Sequence, residues 1–227
     1  MEEAIQTGFF KNLEQSLMIS LIIPAIDKHE FTQRAVEYAK ANAVENIEII
    51  IIDNNSQVPY SLEEYNVDKI IREEKNLGVP KSILRSSEVA SGDIIVFIHN
   101  DVYIHEYGWD QRISNAFQND NNLAISGFFG ATGVSPDGGR HHSMSNMLGI
   151  VGGTGAEIHG SIMQDIAPVS TLDGLCIIFR KDIIKNLELE KLPPHHWYDR
   201  IIPLQAIKMG YNVNILENNG QKNYLLL

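Results

Sequence analysis

Branched apolar residues gather along this chain in short runs that end at a proline or an aspartate, and these runs alternate with segments of helical spacing. Met18-Ile-Ser-Leu-Ile-Ile-Pro24 and Ile47-Glu-Ile-Ile-Ile-Ile-Asp53 are the first two runs, and both predict buried strands. Between them, Phe31, Ala35, Tyr38, Ala39 and Asn42 recur at helical spacing from about His29 to Asn42. Lys69-Ile-Ile-Arg72 reads as a shorter strand. Asn76 and Gly78 then form a turn before a helix from about Pro80 to Ala90, where proline suits the first turn because its missing N–H costs nothing there. Ser91-Gly92 stops that helix, and Asp93-Ile-Ile-Val-Phe-Ile98 is the next strand. Uninterrupted apolar strands separated by helices predict an α/β fold with a mostly parallel central sheet and flanking helices. Ligand sites in such a sheet lie beyond the carboxyl ends of the strands.

The second half is less regular. A helix is expected from Gly108 to Asn119, with Trp109, Ile113, Ala116 and Phe117 as its apolar stripe, followed by a short strand at Leu123-Ala-Ile-Ser126. Nine glycines then fall between Gly130 and Gly160, a density that excludes a regular helix and makes the backbone costly to order. This stretch is either a flexible insertion or a loop that gains order from a ligand, and Arg140 within it could then reach a phosphate. Thr171 to Phe179 reads as one strand running into Arg180 and a short helix. Because proline is tolerated only near a helix start, Pro203 predicts that the helix carrying Leu204, Ile207 and Lys208 begins at 200 to 202. Gly210 ends it, and Tyr211 to Ile215 is expected as a final edge strand.

Composition narrows the function. The 227 residues suffice for one domain with a sizeable core, and 18 Lys and Arg against 29 Asp and Glu leave a net charge of -11 that disfavours nucleic acid. A small nucleotide is not disfavoured, since a few local donors or one metal ion can hold a diphosphate in an acidic protein. The single cysteine, Cys176, sits in an apolar run and reads as a core residue. Glu2 and Glu3 stand where a signal peptide would be basic, and the apolar run from Leu17 reaches Pro24 too soon to span a bilayer. A cytoplasmic setting without a transmembrane segment is the expectation, with peripheral membrane association open.

Three aspartates carry the candidate chemistry. Asp53 ends the second strand in Asp-Asn-Asn-Ser56, where a carboxylate can accept hydrogen bonds from a base or ribose, or simply cap a turn. Asp101 follows the strand ending at Ile98 and is a natural hard ligand for Mg²⁺ or Mn²⁺; His99, two residues earlier, is a possible nitrogen ligand or a residue that closes the strand. Asp199 lies at the mouth of a helix, where the common role of an aspartate is an N-cap.

The order of these pieces resembles the inverting glycosyltransferases of family 2, with the GT-A fold, from about Met18 to Val213. The resemblance rests on Ile19-Ser-Leu-Ile-Ile-Pro24, Ile52-Asp-Asn-Asn-Ser56, Asn76-Leu-Gly78, Ala90-Ser-Gly-Asp93 and His99-Asn-Asp101, the last in the place of an Asp-x-Asp metal motif. Later, Asp173-Gly174 and Leu-Cys-Ile-Ile-Phe-Arg180 resemble the acceptor-side strand, and His196-Trp-Tyr-Asp199 the segment carrying the base. The resemblance implies one GT-A domain over 1–227, with a nucleotide-binding half at 17–107 and an acceptor half at 108–227 that contains the glycine-rich insertion at 130–160. It implies Asp199 as catalytic base and Asp101, with His99, at a Mn²⁺ or Mg²⁺ ion. Donor contacts would come from Asp53, Pro24, Asn76 and Asn100. Ile83 and Leu84 stand where many members have an Arg-Asn pair, and Arg85 could supply that cation from a neighbouring turn. Asp173, His196, Trp197, Tyr198 and Arg140 would face the acceptor.

The resemblance implies inverting transfer from a nucleotide-diphosphate sugar, a UDP-sugar favoured, to a glycan, lipid-linked or small-molecule hydroxyl, in glycan or polysaccharide synthesis. The alternative, suggested by His99 and the missing Arg-Asn pair, is a non-catalytic GT-A-like nucleotide- or glycan-binding protein. A nicotinamide enzyme is disfavoured, because Pro24-Ala-Ile-Asp27 follows the first strand in place of a glycine-rich phosphate turn.

Overall fold

The computed structural model describes residues 17–136, 138, 147–152, 158–161, 165–216 and 225–226. Its first half is β1 (Ile19–Ala25), α1 (His29–Asn42), β2 (Glu48–Asp53), α2 (Leu62–Tyr65), β3 (Lys69–Arg72), α3 (Gly78–Val89), β4 (Ile94–Ile98), β5 (Tyr103–Ile104) and α4 (Trp109–Asn119). There follow β6 (Leu123–Gly127), β7 (Phe129–Ala131), β8 (Met147–Gly152), β9 (Ile158–Ser161), β10 (Ala167–Pro168), β11 (Thr171–Leu172), β12 (Cys176–Arg180), α5 (Tyr198–Lys208), β13 (Asn212–Ile215) and β14 (Leu225–Leu226).

Among the described residues, eight strands form the central sheet in the order β10-β13-β6-β12-β4-β1-β2-β3. β3, β2, β1 and β4 run parallel, β12 enters antiparallel between β4 and β6, β13 pairs parallel with β6, and β10 pairs antiparallel with β13. A second sheet joins β11, β7, β8, β14 and β5, with β9 paired to β8.

The unbroken apolar strands are explained by burial on both faces. Ile49 and Ile51 enter one core layer with Leu21, Ile23, Val96, Ala35 and Val36 of α1, and Trp109 and Phe117 of α4. Ile50 and Ile52 enter the other with Ile22, Phe97, Ile83 of α3, and Ile202 and Ala206 of α5. Each such isoleucine contributes about 1.5–3 kcal/mol by leaving water, so a parallel register that buries all four at once is strongly favoured. Cys176 lies within this core, as expected, and burial pushes its thiol far above the ordinary range.

Three expectations need correction. Val213 and Ile215 do not lie on an edge, because Ala167 and Pro168 add a further strand outside them. The strand expected from Thr171 to Phe179 is broken at Asp173-Gly-Leu175: Leu172 pairs with Gly130 of the second sheet, whereas Cys176 pairs with Ile98 of the first. The last helix begins at Tyr198, earlier than 200. Trp197 supplies its start by adopting a left-handed backbone, φ 68°, and Pro203 is absorbed within the helix at the loss of one N–H donor.

Candidate active site

β1, β2 and β4 end at one side of the sheet, and there a cleft of about 220 Å³ opens. Pro24, Ala25, Asn54, Asn76, Gly78, Ser82, His99, Asn100, Asp101 and His195 are among its walls. Four of the residues proposed for donor or metal contact, Pro24, Asn76, Asn100 and Asp101, thus meet, with His99, in one space. A larger hollow of about 480 Å³ at the opposite ends of β1 and β2 contains none of the predicted site residues.

Asn54 and Asn76 build the cleft wall by capping the start of α3. Asn54 accepts from the Leu77 N–H at 3.2 Å, and Asn76 accepts from the Gly78 N–H at 2.9 Å. The Val79 N–H donates to the Pro194 carbonyl at 2.7 Å, which docks the segment ahead of α5 onto α3 and brings His195 to the cleft. Asn100 donates to Thr32 at 3.1 Å, and Thr32 meets the Tyr60 hydroxyl at 2.9 Å. The β1–α1 turn is held in an uncommon conformation, with Asp27 and Lys28 both left-handed at φ 50° and 56°. Asp27 is fixed there by Ser56, whose hydroxyl accepts from the Asp27 N–H at 2.8 Å, and by the Gln57 N–H, which donates to its carboxylate at 2.8 Å.

Asp53 stands one residue behind this wall. It is fully buried, one oxygen accepting from the Ser56 N–H at 2.8 Å and the other from Arg72 at 2.5 Å. Burial alone would push its carboxyl up, but the Ser56 hydrogen bonds and the Arg72 guanidinium hold it below the usual range. One oxygen is therefore held by the Asn54–Ser56 turn and the other by Arg72 of β3, and Asn54, rather than Asp53, faces the cleft. Arg85 lies away from the cleft, bound to Glu73 and Glu88 at 2.8 Å each, so its charge is already matched.

His99 sits at the junction of the two halves. Its backbone N–H donates to the Leu175 carbonyl at 3.1 Å, and its Nε2 lies 2.9 Å from the Tyr198 hydroxyl. Asp101, Asp173 and Asp199 all act on its ring, favouring the charged form, yet burial outweighs them and holds its pKa below the ordinary value. Asp199 is in the first turn of α5, past the N-cap, which is Trp197, so the capping role is excluded by position. Its Oδ1 accepts from Arg200 at 3.3 Å, and the Arg200 guanidinium lies 4.9 Å from the Trp197 ring centre. Asp173 accepts from the Leu175 N–H at 3.1 Å.

Of the remaining acceptor-side residues, Trp197 is 42% exposed, with Gly138 packed against its ring and Arg200 over it. His196 is exposed, but its neighbour His195 is the one that lines the cleft. Tyr198 is buried against His99 and Gly174, so it serves the interior of the site and not its rim. Arg140 lies outside the described residues.

Among the described residues, no three His, Cys, Asp or Glu side chains gather closely enough to hold a metal ion by themselves. Exposed Asp101 fits a hard cation that takes one protein carboxylate and completes its shell with diphosphate oxygens and water. Ligation through His99 Nε2 would displace the Tyr198 bond.

Asn54, Ser82 and Arg72 were not singled out by the sequence, being ordinary turn, helix and strand residues until the fold brings them to the cleft or to Asp53. The model of "Glycosyl transferase family 2" matches residues 20–187, the span that supplies every wall of the cleft except His195. The chain belongs to glycosyltransferase family 2. No curated protein matches it. Solved glycosyltransferase structures share its fold: GalNAc-T7 with UDP, GalNAc and Mn²⁺ superposes with a TM-score of 0.65 at 13% identity, covering 89% of this chain and 43% of that one. S. aureus TarS 1-349 gives 0.62 at 16% identity, covering 92% and 60%. Mannosyltransferase PcManGT from Pyrobaculum calidifontis, in complex with GDP-Man and Mn²⁺, gives 0.61 at 11%, covering 91% and 56%. This family 2 chain thus spans about half the length of those proteins.

Proposed function

We propose that this protein transfers a sugar, with inversion, from a nucleotide-diphosphate donor to an acceptor hydroxyl. The observation that carries the reading is the 2.9 Å contact between His99 and Tyr198, which ties the segment bearing Asp101, at a cleft beyond the strand ends, to the first turn of α5, which bears Asp199. The nucleotide lies in the 17–107 half against Pro24, Asn54, Asn76 and Asn100. The acceptor enters from the 108–227 half, its ring against Trp197. Asp199 takes the proton of the attacking hydroxyl on the face opposite the departing diphosphate. A divalent cation held at Asp101, Mn²⁺ or Mg²⁺, would neutralise that diphosphate when bound. A UDP-sugar is the favoured donor, and a glycan, lipid-linked or small-molecule hydroxyl the acceptor. Among the described residues no helix is long and apolar enough to cross a membrane, which leaves a peripheral approach to a lipid-linked acceptor feasible.

The test is Asp199→Asn, assayed for transfer or hydrolysis of UDP-sugars and for UDP binding. Turnover is expected to fall about 100-fold or more with UDP affinity within a few-fold of the parent. Equal loss of both would remove Asp199 from the role of base.

A further inference from the structure

The bond between His99 and Tyr198 joins a residue two places before Asp101 to the residue immediately before Asp199. His99 is the first residue past β4 and leads through Asn100 to Asp101; Tyr198 is the first residue of α5 and leads to Asp199. Their side chains meet at 2.9 Å although the residues are 99 positions apart. Tyr198 reaches His99 by crossing Gly174, where a Cβ would stand 2.2 Å from the tyrosine hydroxyl, so residue 174 must lack a side chain for the contact to exist. His99 is itself anchored through its backbone to Leu175, on the far side of that glycine. The β4 end, the Asp173–Leu175 turn and the α5 start are thus tied at one point, and each carries one of the three carboxylates.

We propose that His99 and Tyr198 are positioning residues, which set the distance between the donor-side carboxylate Asp101 and the base Asp199. This inference rests on the reading of Asp199 as base. A histidine in place of the first aspartate of the metal motif then has a specific use: it exchanges a cleft-facing charge for an inward hydrogen bond that fixes α5. A base misplaced by about 1 Å loses on the order of 100-fold in rate, whereas nucleotide binding, built from Asn54, Asn76 and Asn100, does not depend on where Asp199 points.

Tyr198→Phe keeps the ring packed over Gly174 and removes only the hydroxyl. With UDP-GlcNAc and Mn²⁺ as probes, its kcat is expected to fall roughly ten-fold or more while UDP affinity stays within two-fold. His99→Ala should do the same, and His99→Gln, whose amide reaches the position of Nε2, should recover most of the loss. A second readout needs no turnover. Trp109 is fully buried and Trp197 adjoins Tyr198, so acrylamide quenching of tryptophan fluorescence reports the start of α5. Tyr198→Phe and His99→Ala should each raise quenching, and the double variant should raise it no further. Additive quenching would overturn the pairing. Loss in Asp199→Asn without loss in Tyr198→Phe would sink the positioning role alone. A parent protein and Asp199→Asn that are equally inactive would sink the transferase reading, while the quenching result still decides the pairing.

Discussion

Pro194 packs directly on the backbone of Gly78: a Cβ at residue 78 would stand 2.6 Å from the Pro194 Cβ and 2.7 Å from its carbonyl oxygen. The same carbonyl accepts the Val79 N–H, so the glycine is the seat on which the α5 approach rests. Gly78 also has φ +71°, a conformation that side chains rarely adopt.

Gly78→Ala should therefore combine a left-handed strain with an overpacked contact against backbone, together about 3 kcal/mol. Urea denaturation should show the midpoint fall with the slope unchanged. UDP affinity should fall as well, because Asn76 and His195 line the cleft on either side of this contact. An unchanged midpoint would mean that Pro194 moves away freely.

Asp53→Asn leaves the buried position intact but removes the charge that Arg72 and Ser56 hold. The Arg72 side chain is 40% exposed, so water recovers part of the lost pairing and about 2 kcal/mol of stability should go. With Asp53 acting through the Asn54–Ser56 turn, UDP and GDP affinities should weaken together in titration calorimetry. Weakening confined to one of the two nucleotides would make Asp53 a direct reader of the base.

The sheet and its two helical layers were legible because β1, β2 and β4 are apolar without interruption, a pattern that only two-sided burial explains. Asn100 and Asp101 follow β4 and Asn76 precedes α3, and all three line the cleft at that end of the sheet. The break at Asp173-Gly-Leu175 was not predicted although Asp-Gly is itself a turn signal, because the apolar residues on both sides of it suggested one continuous strand. Nor could the apolar pattern carry the direction of Tyr198. Its ring is turned inward by a left-handed Trp197 and by the space above Gly174, both of which are long-range consequences of the fold. Asp53 shows the opposite limit: its position was readable, but not its commitment to Arg72, whose side chain arrives from the neighbouring strand.

At the end of the sheet away from the cleft, Glu48 is buried and joined to Lys69, Ser20 and Ser91. Burial pushes its carboxyl up, but these partners outweigh burial and hold it at about 2, against an ordinary value of 4.5. The unfolded chain therefore takes up this proton near pH 4.5, whereas the folded protein resists it until about pH 2. Its contribution is full above the higher value and is lost as pH falls through the lower one, a span worth on the order of 3 kcal/mol. Glu48→Gln should lower stability at pH 7 and flatten its decline between pH 5 and 3, with UDP affinity unaffected. Parallel acid limbs for parent and variant would count against this assignment.

Asp101 is the exposed carboxylate at the cleft, and its proposed role separates cleanly from that of Asp199. A single hard ligand adds little metal affinity on its own, so Mn²⁺ should bind weakly without nucleotide and more tightly when a diphosphate completes its shell. UDP titrated with and without Mn²⁺ should then show a metal-dependent gain in affinity for the parent protein. Asp101→Asn should abolish most of that gain and leave metal-free UDP binding, proposed to rest on Asn54, Asn76 and Asn100, close to the parent value. Asp199→Asn should keep the gain, because the proposed place of Asp199 is on the acceptor side, away from the diphosphate. A gain that survives Asp101→Asn would move the ion elsewhere in the cleft.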